Sequence, residues 1–341
     1  MTRAVNYYYD QLNKEQQRAY YAIKEGLLNF RDSFSVPMLS RKELSDIYFM
    51  IRMDLPEIFY SVTFSYRHYP DSTAVEMIPQ YLFGKDKIKE HRQAMTSRIK
   101  KLVRQAESLD EKGKELFIHD FIVKNVKYDK LKKEYSHEII GALGNGVAVC
   151  EGIAKAVKAL CDELNIWCII ALSEANPEKG IKYRHAWNVV RINGQYYHLD
   201  ATFDNTLSRD DIIRYDYVNL SDKQIFRDHE PVIWKIPVCN DNDHFYYKEK
   251  KISWTTMEEV QNRTKQAVKK GKVLLFHWRG GYLTKEILTQ LMEIFNSEAK
   301  VKDKRAFVSI NWPQAVLRVR FENGIGEEQL EMEEANEGEK S

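Results

Sequence analysis

The dipeptide Asn193-Gly194 constrains the fold of this chain more than any other feature, because it separates two segments of alternating polar and apolar residues. Asn-Gly favours a two-residue type I′ turn, which joins two antiparallel strands. The pattern therefore predicts a β-hairpin with strands at residues 185–192 and 195–203, in which residue 192 lies opposite residue 195.

This register brings a histidine and an aspartate to one face of the hairpin. Side chains alternate along a strand, so His185 and Trp187 share a face with Asp200. His185 lies diagonal to Asp200, at a backbone separation of roughly 7–8 Å that the two side chains can bridge. A carboxylate that accepts a hydrogen bond from one ring nitrogen fixes the histidine tautomer and leaves the other nitrogen for a nucleophile.

Cys150 begins a predicted amphipathic helix at residues 150–164, directly after the segment Gly144-Asn145-Gly146-Val147-Ala148-Val149. The start of a helix favours an anion, and the thiolate is the nucleophilic form of cysteine. The sequence thus predicts a catalytic triad of Cys150, His185 and Asp200. The alternative is a structural cysteine at a helix start and two hairpin residues that form structural hydrogen bonds.

Three motifs add a resemblance to a known family. They are Gly146-Val147-Ala148-Val149-Cys150-Glu151-Gly152, then Tyr183-Arg184-His185-Ala186-Trp187-Asn188, then Tyr197-His198-Leu199-Asp200-Ala201-Thr202-Phe203-Asp204. In order and spacing the chain resembles bacterial members of the transglutaminase-like cysteine superfamily over about residues 95–235. The resemblance implies an α+β fold with a papain-like core, in which the helix that bears Cys150 packs on an antiparallel sheet. It also implies that Cys150 is the nucleophile, His185 the base and acid, and Asp200 the residue that orients His185.

Four further residues are expected to bind substrate or support the oxyanion. The backbone N–H of Cys150 is one candidate donor to the oxyanion. Tyr128 is expected as the second, because members of the resembled family often have an aromatic residue in that stretch. Glu151 either complements the helix dipole, which we favour, or lines the cleft with Gly152. Trp187 either shields the bond between His185 and Asp200 from water or belongs to the core.

These features predict a cysteine-dependent acyl-transfer enzyme that acts on peptide or protein amides through a thioester, with hydrolysis favoured over cross-linking. One alternative is a non-catalytic module that binds a peptide or a cell-wall fragment on the same scaffold. Another is a deglycosylase similar to peptide N-glycanase. The remaining histidines are scattered along the sequence, and the spacing of the four cysteines fits no zinc site, so we expect no metal and no cofactor.

The pattern of elements predicts four parts. They are an N-terminal α+β region at residues 1–95, the catalytic core at 96–250, a small C-terminal α+β domain at 251–325 and a disordered acidic tail at 326–341.

Composition limits the partners. The 52 Lys and Arg residues nearly balance the 50 Asp and Glu residues, so charge gives no general attraction to nucleic acid. No apolar run reaches the ~20 residues of a membrane span. The start lacks the apolar segment of a secretory signal, so we expect a cytoplasmic protein, or a secreted one if the sequence has lost its natural start.

Overall fold

The computed structural model describes residues 5–208 and 212–323. The chain folds into two compact units, at residues 1–242 and 243–341. The expected division into four parts stays a prediction, and the expected acidic tail at 326–341 lies outside the described residues. None of the helices in the described ranges has the length and apolar content of a membrane span.

The first unit contains seven α-helices and nine strands among its described residues. The helices are α1 (Lys14–Leu28), α2 (Arg41–Asp54), α3 (Lys85–Val103), α4 (Glu111–Asn125), α5 (Cys150–Glu163), α6 (Ala201–Leu207) and α7 (Asp222–Ile225). The strands are β1 (Phe34–Pro37), β2 (Ser61–His68), β3 (Ala74–Tyr81), β4 (Lys127–Tyr128), β5 (Val147–Ala148), β6 (Cys168–Ser173), β7 (His185–Ile192), β8 (Gln195–Leu199) and β9 (Val218–Leu220).

These strands form three sheets. The N-terminal sheet has the order β1-β3-β2, the central sheet has the order β6-β7-β8-β9, and β4 and β5 form a short parallel pair. All neighbours in the central sheet are antiparallel. The α+β fold class with a helix-on-sheet core is confirmed.

Helix α5 packs on the central sheet through an apolar stripe. Its residues Ile153, Val157 and Leu160 are buried, as the 3.6-residue period predicts. Asn188 of β7 fixes the contact, since its amide donates to the backbone oxygen of Ala154 at 3.0 Å. The helix that begins at Cys150 is therefore tied to the strand that begins at His185.

The central hairpin has the predicted register but a shorter second strand. Residue 192 pairs with 195 and Val189 with His198, which confirms the register. Strand β8 ends at Leu199, however, and not at residue 203 as predicted. The physical reason is that the Asp200 carboxylate caps α6, accepting the backbone N–H groups of Thr202 at 2.8 Å and Phe203 at 3.1 Å.

Two other expected elements in the first unit differ at their ends. Apolar and aromatic residues at helical spacing from Asn6 to Phe30 predict a helix over that span, but α1 begins after Asn13, whose side chain and that of Gln16 form a capping box. The sequence from Glu57 to Tyr66 predicts a strand, but β2 begins at Ser61.

The described part of the second unit begins with a short helix and a short strand and continues in the order helix, strand, helix, strand, strand. Its elements are α8 (Tyr246–Glu249), β10 (Ser253–Trp254), α9 (Met257–Lys270), β11 (Leu274–Trp278), α10 (Lys285–Lys300), β12 (Lys304–Asn311) and β13 (Val316–Asn323). The sheet order is β10-β11-β13-β12. Helices α9 and α10 contribute Val260, Leu291 and Phe295 to a core with Phe276 and Val319 of the sheet.

Candidate active site

Cys150 is the first residue of α5, at a helix start that no side chain caps. The N-cap residue is Val149, which has no polar side-chain atom to offer the first-turn N–H groups. The approach to the helix is fixed by β5, which pairs with β4, and by the tight turn at Gly146, whose φ is 67°. A φ in this range strains residues with a Cβ, so glycine is favoured there.

The structure brings His185 to Asp200 as the register predicts. The Nε2 atom of His185 lies 2.6 Å from Oδ2 of Asp200. Sγ of Cys150 lies 4.0 Å from the backbone oxygen of Arg184, the residue before His185, and Cys150 and His185 line the same cavity. Because Nε2 is engaged by the carboxylate, Nδ1 is the ring nitrogen that remains for the sulfur. The three predicted residues therefore lie in one row, with His185 between Asp200 and Cys150.

The electrostatics of this row favour a charged imidazole. Burial by itself lowers the pKa of His185. The charge and hydrogen bond of Asp200 and the contact with Cys150 outweigh it and raise that pKa to about 10. Burial likewise opposes ionisation of Asp200, but the charges and hydrogen bonds of His185 and His229 hold its pKa well below the usual range. At neutral pH the pair is thus an imidazolium and a carboxylate.

Trp187 covers the histidine of the row. Its ring lies nearly parallel to that of His185, with centroids 5.7 Å apart and planes inclined by 17°. Its Nε1–H donates to Nδ1 of His198 at 2.9 Å. Nε2 of His198 lies 2.8 Å from Oδ1 of Asp222. Trp187 is buried, so it packs in the core with its ring against that of His185.

A cavity of about 270 Å³ opens beside the sulfur, lined by Cys150, His185, Tyr128, Tyr183 and Phe203 among others. Tyr128 is 37% exposed, so a molecule bound in the cavity can contact its side chain. Burial first, and then the charges of Cys150 and Asp200, raise the pKa of Tyr128 to about 12. The phenol therefore keeps its proton at neutral pH and can donate it to a negatively charged oxygen.

Glu151 and Gly152 have other surroundings. Neither is among the described residues that line the cavity. Glu151 forms ion pairs with Arg52 at 3.3 Å and with Lys155 at 2.7 Å. A Cβ on Gly152 would clash with the backbone oxygen of Ser136. These residues hold the first turn of α5 in place.

Sequence reasoning missed His229, which follows α7 and is buried against the row. Its Nε2 atom lies 2.9 Å from Oδ2 of Asp200, the same oxygen that binds His185. Its Nδ1 atom lies 2.8 Å from Oδ1 of Asp228. The loop that carries His229 has no periodicity from which this contact could be inferred, because only tertiary packing brings it to Asp200.

Two groups of side chains within the described ranges have the composition of a metal site. They are His185, Asp200 and His229, and His198, Asp222 and Cys239. In the first group both imidazoles have Nε2 within hydrogen-bonding distance of the Asp200 carboxylate. In the second, Nδ1 of His198 accepts from Trp187, so Nε2 carries the ring proton. A protonated ring nitrogen has no lone pair for a metal, and hydrogen bonding accounts for both groups.

Comparison with known proteins gives a match over part of the chain. Residues 99–201, which contain Cys150, His185 and Asp200, match the model of the transglutaminase-like superfamily. No curated protein matches the chain.

Two solved structures are among those to which the chain is similar. One is described as a putative cysteine protease from Cytophaga hutchinsonii, with 16% identity over 41% of this chain and a TM-score of 0.26. The other is described as a TGase, with 12% identity over 50% of this chain and a TM-score of 0.27. The chain spans 62% and 51% of their lengths, less than two thirds of either.

Proposed function

We propose that this protein cleaves peptide or protein amide bonds through a thioester. Residues 99–201 match the model of the transglutaminase-like superfamily, whose members are often cysteine-dependent enzymes. In this proposal Cys150 is the nucleophile, His185 the acid and base, and Asp200 the residue that orients His185. The observation that carries the proposal is the row itself. Nε2 of His185 lies 2.6 Å from Asp200, and His185 and Cys150 both line the wall of an open cavity.

The first half of the reaction forms the thioester. The Cys150 sulfur attacks the amide carbon, forming a C–S bond and moving the carbonyl electron pair onto oxygen. The backbone N–H of Cys150 and the hydroxyl of Tyr128 are the proposed donors to this oxyanion. When the oxyanion collapses, the C–N bond breaks, and Nδ1 of His185 gives its proton to the leaving amine.

The second half releases the acyl group. Water attacks the thioester while Nδ1 of His185 takes one of its protons, and the C–S bond breaks to give a carboxylic acid and free Cys150. A lysine amine in place of water would give a cross-linked product by the same steps. We favour hydrolysis. The assay below identifies whether water or an amine accepts the acyl group.

The first test measures the rate at which iodoacetamide alkylates Cys150, by mass spectrometry, in the native protein and in H185Q and D200N. The other three cysteines are buried, so Cys150 is the site that a folded protein exposes to the reagent. We expect alkylation at neutral pH to fall at least tenfold in H185Q, because a thiolate without an adjacent imidazolium loses its counter-charge. H68Q, an exposed histidine at the end of β2, is the matched control. Equal rates in all four proteins would mean that His185 does not activate Cys150, which would refute the proposed roles of the two residues.

The second test identifies the reaction. A peptide pool, a glycopeptide pool and a biotinylated primary amine are incubated with the native protein and with C150S, and products are read by mass. New peptide termini that depend on Cys150 support the proposal. Release of glycans in place of new peptide termini, incorporation of the amine in place of hydrolysis, or no product from any pool would each contradict it.

A further inference from the structure

His229 is a buried imidazole that the proposed reaction does not use. Its side chain is 1% exposed, and both of its ring nitrogens face carboxylates. Nε2 is 2.9 Å from Asp200 and Nδ1 is 2.8 Å from Asp228. An imidazole that donates to a carboxylate from each nitrogen must carry both protons, so the contacts describe an imidazolium.

Both partners of His229 are held as acceptors. Oδ1 of Asp200 accepts the N–H groups of Thr202 and Phe203, which leaves Oδ2 for the two imidazoles. Asp228 accepts the hydroxyl of Tyr217 at its second oxygen. Neither carboxylate needs a proton of its own to satisfy these bonds. The positive charge therefore lies on His229.

The result is a row of alternating charges, formed by Asp228, His229, Asp200 and His185, that ends beside Cys150. The rings of His185 and His229 have centroids 5.2 Å apart, so two positive charges share one carboxylate oxygen. A like charge at this distance disfavours protonation of its neighbour. His229 thus opposes the effect of Asp200 on His185.

We propose that His229 is a positioning residue that acts through Asp200: by countering the charge of that carboxylate, it sets the pH range over which His185 holds and releases its proton. The inference rests on the proposed function, in which His185 must give a proton to the leaving amine and then take one from water. An imidazolium bound to an uncountered carboxylate would hold its proton more tightly, so that release of the proton would require a higher pH.

The titratable groups around His229 come from several parts of the first unit. Asp200 lies at the start of α6, Asp228 on the same loop, His185 on β7 and Tyr217 just before β9. The charge of His229 also contributes to lowering the pKa of His198 on β8, after the larger effect of burial. Burial by itself lowers the pKa of His229, but the hydrogen bonds that its ring donates to both carboxylates outweigh this effect and raise that pKa. Asp200 and Asp228 therefore dominate the charge state.

The experiment compares the native protein with H229Q, D228N and the exposed control H68Q. The readouts are the ring resonances of ¹⁵N-labelled His185, titrated with pH, and the alkaline limb of the rate of Cys150 alkylation. H229Q keeps a donor toward Asp200 but removes the charge. We expect both readouts to move to higher pH by roughly one unit, because the carboxylate then acts on His185 alone. D228N removes one of the carboxylates that keep His229 charged, so we expect a smaller movement in the same direction.

The proposal is overturned if folded H229Q titrates like H68Q, or if its alkaline limb moves to lower pH. If H229Q does not fold, D228N decides, and an unchanged limb in D228N overturns the proposal. The resonance titration requires no turnover. A protein that cleaves no amide but whose His185 titration moves in H229Q would therefore refute the proposed function and leave this inference standing.

Discussion

Arg52 of α2 forms an ion pair with Glu151, the residue that follows Cys150, with 3.3 Å between Nη2 and Oε1. The same guanidinium pairs with Glu138. Lys155 completes the cluster, with its ammonium 2.9 Å from Glu138 and 2.7 Å from Glu151. Two cations and two anions thus neutralise one another in the interior, and the N-terminal part of the first unit helps to hold the helix that bears Cys150.

Replacement of Arg52 by methionine should leave Glu138 and Glu151 buried with one cation between them. We expect the free energy of unfolding to fall by about 3–5 kcal/mol, because removing one partner of a buried ion pair leaves an uncompensated charge. The measurement is urea denaturation followed by tryptophan fluorescence. R67M is the matched control. Arg67 of β2 forms an exposed ion pair with Glu76 of β3, and exposed ion pairs contribute little to the free energy of unfolding. A loss in R67M as large as that in R52M would contradict the buried-cluster argument.

The second prediction concerns Gly152, where the structure leaves no room for a side chain. A Cβ at this position would overlap the backbone of Ser136, which cannot move aside as a flexible side chain can. We expect G152A to lower the free energy of unfolding by about 1–3 kcal/mol. Since the first turn of α5 must shift, alkylation of Cys150 should also slow.

The control for this substitution is G84A. Gly84 has an ordinary φ of −64° and nothing within 4 Å of the position of a Cβ. Unfolding and alkylation should therefore change little in G84A. If G152A behaves like G84A, then the contact with Ser136 does not fix the start of α5.

The hairpin shows what local sequence determines in this protein. Asn193-Gly194 dictates a turn, the turn dictates the register, and the register brings His185 toward Asp200. The start of α5 at Cys150 follows in the same way from local periodicity. Each step uses residues that are close in sequence, so each could be predicted without coordinates.

The contacts that cross the fold could not be predicted in this way. His229 reaches Asp200 across 29 positions of sequence, and Arg52 reaches Glu151 across 99. No pattern of spacing encodes such pairs, because they depend on how distant elements pack. The shortened β8 has a different cause. The Asp200 side chain accepts the backbone N–H groups of Thr202 and Phe203, and this helix cap outweighs the strand propensity of the two residues.

Glu115 of α4 predicts a dependence of stability on pH. Its carboxyl is buried, with Oε2 accepting from Asn219 at 2.9 Å and Oε1 without a hydrogen-bond partner. Burial raises its pKa to about 7, against smaller opposing effects of Asn219 and His119. A raised pKa means that its contribution to stability is full below the pKa of the unfolded chain and is lost as the pH rises through about 7.

E115Q removes this titration and keeps the shape. We expect the variant to gain stability relative to the native protein between pH 5 and pH 8, by roughly 3 kcal/mol at most. Urea denaturation at both pH values measures the difference. E107Q, a substitution at an exposed glutamate, should show no such change with pH. If the native protein instead gains stability relative to E115Q between pH 5 and pH 8, the predicted direction of the pH dependence is wrong.

Trp187 separates shielding from hydrogen bonding, because its ring and its N–H contact different histidines. W187F keeps an aromatic ring over His185 but leaves Nδ1 of buried His198 without its donor. We expect the free energy of unfolding to fall by about 1–3 kcal/mol, the cost of an unsatisfied buried acceptor, with little change in the alkylation of Cys150. W187A also uncovers the bond between His185 and Asp200. Because water weakens that interaction, alkylation should fall by roughly tenfold more than in W187F. Equal alkylation rates in two folded variants would mean that the ring packs in the core without shielding His185.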